Sequence, residues 1–215
     1  GGQRTTGSDG SRGSRGARRP PARAAPITVR SVPDAAASQE PTWVGDDAAL
    51  DAAVGTLLTA ERYALDTEFQ GERTYYPTLA LVQLSDGEHI WLVDPLACDI
   101  ARLRPLLEGP GTMLAHAARQ DLEIFFHLNG RVPSPLFDTQ VAAMVCGFGD
   151  AASYETLAAK LANARIDKSV RYTDWAARPL SDRQVAYALA DVTHLREVYR
   201  GLGQRLDRKS TRLNS

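Results

Sequence analysis

Tyr63-Ala64-Leu65-Asp66-Thr67-Glu68-Phe69 has the alternation of a β-strand, in which side chains two residues apart share a face. Tyr63, Leu65, Thr67 and Phe69 then point one way, and Ala64, Asp66 and Glu68 the other. Two carboxylates therefore stand side by side on a strand apolar enough to be central in a sheet. Like charges so close repel, and burying them costs several kcal/mol unless something positive is bound between them. An acidic pair at a solvated strand end is the ordinary alternative, so the pair gains meaning only from residues further along the chain.

The chain has 215 residues, enough for one domain with a substantial core, and a formal net charge of −1. Charge is unevenly spread. Residues 1–30 hold seven Arg and a single acid, Asp9, whereas residues 41–206 hold 15 Lys and Arg against 22 Asp and Glu. An acidic domain repels nucleic acid unless cations or a local basic rim reverse the sign at the site. Cys98 and Cys146 are too few for a disulfide framework or a zinc motif, which suits a cytoplasmic home. No apolar run approaches the ~18 residues needed to span a bilayer, and no membrane association is expected. The Arg-containing N-terminus lacks the apolar segment of a secretory signal.

Residues 1–40, rich in Gly, Ser, Arg, Pro and Ala, cannot bury enough surface to offset their ordering entropy and are expected to be a disordered tail. Residues 207–215 resemble the translation of a common sequencing-adapter oligonucleotide and are expected to be a non-native tail. Between them, residues 41–206 alternate strands and helices. Strands are expected at 42–44, 62–69, 78–85, 89–93, 112–115 and 136–137. Helices are expected at 46–58, 100–107, 118–128, 138–146, 153–161 and 181–203. Asp46 is placed to cap the first helix, and Ser153 and Ser181 to open the last two. The turn at Asp86-Gly87 and other short connections make 62–69, 78–85 and 89–93 antiparallel neighbours. The β-α-β-α run after them adds parallel strands. The expected fold is α/β, a mixed sheet with helices on both faces.

Two further segments carry chemistry. The small-apolar strand at 112–115 ends at His116, and Asp121 follows in the first turn of the next helix, where a helix N-terminus favours a carboxylate. In Tyr187-Ala-Leu-Ala-Asp191 the phenol and the carboxylate are four residues apart and share one helical face. Each alone has a structural explanation. Together with Asp66 and Glu68 they make four carboxylates and one Tyr.

Ala64-Leu-Asp-Thr-Glu-Phe69, His116-Ala-Ala-Arg-Gln-Asp-Leu-Glu-Ile-Phe125 and Tyr187-Ala-Leu-Ala-Asp191 resemble the three exonuclease motifs of the DEDD superfamily, and Tyr187 is similar to the signature of its DEDDy branch. Arg73-Thr-Tyr-Tyr-Pro77, Asp86-Gly-Glu-His89, Phe137-Asp-Thr-Gln140, Asp167-Lys-Ser169, Thr173-Asp-Trp175 and Ala177-Arg-Pro-Leu180 extend the resemblance to the ribonuclease D family. It runs from about residue 43 to 202.

The resemblance implies an RNase H-like DEDD exonuclease domain that removes nucleotides one at a time from RNA 3′ ends, with tRNA precursors and small structured RNAs as substrates. It implies two divalent cations, Mg²⁺ or Mn²⁺, held by Asp66, Glu68, Asp121 and Asp191, with Tyr187 orienting the attacking water. Oxygen-only ligands suit those ions, which would clamp both oxygens of an in-line displacement from about 4 Å apart. Thr67 and Phe69 flank the acids and are expected to meet the terminal nucleotide, although period two leaves core packing open for Phe69. His116 is a candidate for the terminal ribose or for a backbone hydrogen bond. Lys168 and Arg171 are candidates for phosphate or for solvated loop charges, and Trp175, Arg178 and Pro179 are expected to brace their loop. DNA as substrate, as in Werner or proofreading exonucleases, and a non-catalytic RNA-holding scaffold are the alternatives. A monomer is expected. Members of the family carry helical HRDC-type domains after the nuclease, and this chain is expected to end before them.

Overall fold

In the computed structural model of this chain, the described residues are 40–70 and 78–213. The tail expected at 1–40 lies, but for Glu40, outside them, as does the motif at 73–77. The first helix shows how local sequence sets each element. The Asp46 side chain accepts from the Ala49 N–H at 2.8 Å and opens α1 (Asp47–Leu57). Leu50, Ala53, Val54 and Leu57 recur at helical spacing and are buried. Burying each Leu contributes about 1.5–3 kcal/mol relative to exposure.

The remaining elements keep the expected order. β1 is Thr42–Val44, β2 is Arg62–Gln70, β3 is Thr78–Ser85 and β4 is Ile90–Val93. A 3₁₀ turn, Ile100–Leu103, leads into α2 (Arg104–Leu107), then β5 (Thr112–Ala115), α3 (Arg119–Asn129), β6 (Leu136–Asp138) and α4 (Thr139–Val145). The chain then forms α5 (Tyr154–Leu157), α6 (Asp182–Thr193) and α7 (Leu195–Leu213). The six strands form one sheet in the order β1-β4-β3-β2-β5-β6. β2, β3 and β4 are antiparallel neighbours, while β1 joins β4, β5 joins β2 and β6 joins β5 in parallel. Tyr63, Leu65, Val82, Leu84 and Met113 pack with Leu50, Leu57, Leu106 and Phe125 on one face. On the other face Ala64 packs with the group that contains Leu157, Val192, Val198 and Leu202, and Leu81 packs beside it with Trp175, Val185 and Ala188.

Three elements depart from the sequence expectation. The helix expected at 181–203 is two helices that part at His194; no Gly or Pro marks that break. The helix expected at 153–161 is one α-turn, Tyr154–Leu157, followed by a wider π-turn over Ala158–Ala162. The register of β2 against β3 slips, with Glu68 opposite Leu81 and Phe69 opposite Leu79. Ala80 is the extra residue of this bulge, and its carbonyl accepts from Arg178 Nη2 at 2.7 Å. α7 also continues through 207–213, where Lys209 Nζ donates to the Val145 carbonyl at 2.6 Å.

Candidate active site

β2, the β5–α3 corner, α5, α6 and the loop before α6 converge on an open cavity of about 940 Å³. Asp66 and Glu68 enter it from one face of β2, and Asp191 enters from α6, which packs on β2 and β3. One carboxylate oxygen from each of Asp66, Glu68 and Asp191 lies within 4.8 Å of the others. Asp191 is only 7 % exposed, and its Oδ2 is buried without a hydrogen-bond partner. Leaving such an atom unsatisfied is costly. A buried orphan oxygen beside two further carboxylate oxygens fits a hard divalent cation.

Electrostatics agree with the geometry. Burial, then Asp191 and Asp121, hold the Asp66 carboxyl well above the usual carboxylate range. Burial and Asp66 push Glu68 up to about 9. Burial and Glu68 raise Asp191, against a hydrogen bond from Tyr187. Without cations the group retains protons that solvated carboxylates would lose. Burial and then Asp191 raise the Tyr187 phenol, so it stays a donor at neutral pH.

Asp121 lines the same cavity but stands outside the trio. Its Oδ1 accepts from the Thr67 hydroxyl. The alternation of β2 explains this: Thr67 points toward the α3 side of the sheet, whereas Asp66 and Glu68 point toward α6. Burial raises Asp121 to about 6.

The corner that carries Asp121 is held by Asp138. Its two carboxylate oxygens accept from the N–H groups of Ala117 and Ala118 at 3.0 and 2.9 Å, and Oδ1 also accepts from Gln140 N–H at 2.8 Å. Ala117 has φ +53, a left-handed conformation that a non-glycine residue adopts only when surroundings enforce it. Beside it, His116 Nδ1 lies 2.9 Å from Thr139 Oγ1. Thr139 spends its hydroxyl hydrogen on the Ala115 carbonyl, so Nδ1 donates and Nε2 carries the lone pair of the neutral ring.

The substrate-side expectations separate here. Thr67, Phe69, His116 and Arg171 line the cavity. Phe69 lines the cavity, half-buried, and does not join the core. Lys168 is not in the lining; it pairs with Glu155 at 2.8 Å. Arg178 braces the loop as expected, with Nε and Nη2 on the two Asp94 oxygens at 2.9 and 2.8 Å, and Trp175 is buried. Tyr154 and Glu155 also line the cavity and were absent from the sequence-based set. The Tyr154 hydroxyl donates to the Ala190 carbonyl at 2.9 Å, next to Asp191. Only the cap at Ser153 marked that segment locally.

Residues 41–207 match the model of a 3′–5′ exonuclease family. Ribonuclease D of Gluconacetobacter diazotrophicus is 56% identical over 149 residues, covering 68% of this chain and 38% of the relative. Ribonuclease D of Acidiphilium cryptum is 50% identical over 173 residues, covering 79% of this chain and 44% of the relative. The crystal structure of Escherichia coli RNase D, an exoribonuclease involved in structured RNA processing, is similar with a TM-score of 0.76 and 38% identity, covering 80% of this chain and 46% of that one. Brucella melitensis NrnC with bound Mg²⁺ is similar with a TM-score of 0.66 and 27% identity, covering 79% and 83%. The chain spans less than half the length of these two curated ribonuclease D relatives.

Proposed function

This chain belongs to the 3′–5′ exonuclease family, and from that premise we propose that it is a metal-dependent exoribonuclease that trims RNA 3′ ends, those of tRNA precursors among them. The observation that carries the reading is the trio of carboxylate oxygens within 4.8 Å, with Tyr187 lining the same cavity. Asp66, Glu68 and Asp191, joined by Asp121, would hold two divalent cations, Mg²⁺ or Mn²⁺. Such ions, when bound, would neutralise the acidic cavity and supply stabilisation for the attacking and leaving oxygens of an in-line phosphodiester displacement.

The chain's own groups divide the remaining work. Tyr187, kept protonated, orients the attacking water by accepting from it through the phenol oxygen, and Glu68 accepts from that water on its other side. Arg171 brings positive charge to an otherwise acidic site, since its guanidinium acts on Asp66, Glu68 and Asp191, and offers a contact for the phosphate. His116 offers Nε2 as an acceptor to a hydroxyl of the terminal ribose. Lys168 keeps Glu155 in place and is not a phosphate contact in this reading. No helix among the described residues is long and apolar enough to cross a membrane; we place the protein in the cytoplasm, working as a monomer through residues 41–206.

Purified chain with a 3′-hydroxyl RNA in Mg²⁺ or Mn²⁺ tests the reading. Stepwise shortening that stops with EDTA is expected, and folded protein that leaves the RNA intact would overturn it. Matched RNA and DNA strands in competition decide the sugar preference.

A further inference from the structure

Tyr172 is 83 % exposed, more than any other large hydrophobic side chain among the described residues, and it lines the rim of the acidic cavity. The backbone that presents it is firmly tied. Asp167 accepts from Ser169 N–H at 2.9 Å, and the Thr173 hydroxyl donates to the Val170 carbonyl at 2.7 Å. Trp175 Nε1 donates to the Arg171 carbonyl at 3.2 Å, and Gln184 Nε2 donates to Thr173 Oγ1 and the Asp174 carbonyl at 3.1 and 3.0 Å. The fold thus ties down the loop that carries this aromatic ring yet leaves the ring in solvent, forgoing the burial that would stabilise it.

Its neighbour supplies the second observation. The Arg171 guanidinium carbon lies 5.7 Å from the Tyr172 ring centroid, within cation–π range. The same guanidinium acts on Asp66, Glu68 and Asp191. Arg171 and Tyr172 both line the cavity that holds these acids, so the pair sets a positive charge at the site and offers a flat π-surface to solvent. Phe69 lines the cavity too, but half-buried, whereas Tyr172, apart from its contact with Arg171, has its ring in solvent.

Resting on the exoribonuclease reading, we propose that Tyr172 is a stacking platform for the base of the terminal or penultimate nucleotide, with Arg171 on the adjoining phosphate. Stacking uses the π-face that every base possesses, so the platform holds the strand without choosing its sequence. It adds affinity on the wall where the carboxylates alone would repel the backbone.

The test uses the full chain and a single-stranded RNA with one abasic ribose at the first, second or third position from the 3′ end. Affinity is read by fluorescence anisotropy in Ca²⁺, and KM and kcat in Mg²⁺. Tyr172→Ala should weaken binding and raise KM about tenfold, more than it lowers kcat, while Tyr172→Phe should change either by less than about twofold. An abasic site at the first or second position should weaken wild type about as much and add little to Tyr172→Ala. The proposal is overturned if the two losses add in full, if Tyr172→Ala binds like wild type, or if Tyr172→Phe loses as much. Tyr172→Leu, which keeps apolar bulk without a π-face, should behave like Tyr172→Ala; wild-type affinity in that variant also overturns it. RNA that is bound with these effects but never shortened would instead overturn the nuclease reading and leave the platform standing.

Discussion

The Thr67 hydroxyl donates to the Asp121 carboxylate, and this hydrogen bond ties α3 to the strand that carries Asp66 and Glu68. Thr67 shares the alternation of Tyr63 and Leu65, which pack on the α1–α3 side, while its neighbours Asp66 and Glu68 enter the cavity from the α6 side. Replacing Thr67 by Val keeps the shape and removes the donor. A hydrogen bond to a charged group is worth about 1.5–3 kcal/mol, so Thr67→Val should need about tenfold more Mg²⁺ for half-maximal RNA cleavage. Thr67→Ser should restore the requirement. An unchanged Mg²⁺ titration in Thr67→Val would remove this hydroxyl from the metal site.

Asp66→Asn should lower cleavage at least about a hundredfold, because one of the candidate metal-holding carboxylates is lost. The same change should raise the metal-free melting temperature, since the Asp66 carboxyl is buried beside Asp191 and Asp121. Each 1 kcal/mol of relief corresponds to about 2–4 °C for a chain of this size. Calorimetry in EDTA, run beside an activity assay, separates a functional acid from a structural one: loss of both activity and stability contradicts the assignment.

Stability of the metal-free protein should fall as pH rises. Glu68 is held at about 9 against 4.5 for an ordinary Glu, so between those values the folded state binds the extra proton. Its contribution is full below about pH 4.5 and is lost progressively as pH climbs through 9. Asp66 and Asp191, also raised, act in the same direction. Thermal unfolding in EDTA should therefore show a declining melting temperature from pH 5 to 9. Saturating Mg²⁺ should remove most of the slope, because bound cations replace the protons. A profile that is flat in EDTA would contradict this.

Arg178→Lys should destabilise the fold by about 2–4 kcal/mol. The guanidinium bonds both Asp94 oxygens, the Ala80 carbonyl at the bulge and the Trp175 carbonyl, each within 3.0 Å. A single ammonium cannot meet that fork, and Asp94, 7 % exposed, would be left short of partners. Urea unfolding measures the loss, and a change below about 0.5 kcal/mol would show the fork to be dispensable.

Much of the fold was legible locally. Asp46, Ser153 and Ser181 do cap helices, and the turn at Asp86-Gly87 does join antiparallel neighbours. What escaped had no local mark. The bulge at Ala80 depends on Arg178 from 98 residues away to satisfy a freed carbonyl. The parting of α6 and α7 at His194 comes without Gly or Pro in that stretch. Lys168 looked free for phosphate because its partner, Glu155, reaches it only in the folded chain.

By itself the sequence determined which groups exist and which strand or helix carries each, because hydrogen bonding and hydrophobic period act over a few residues. The order of the elements, and the placement of Asp66 and Glu68 on a central strand and of Asp121, Tyr187 and Asp191 on helices, were legible at that level. Tertiary structure decided how those groups meet: three acids as a close trio, Asp121 tied to Thr67 beside it, and an aromatic ring at the rim. Charge interaction depends on distance and desolvation on burial, and between residues as far apart as 66 and 191 only packing sets either.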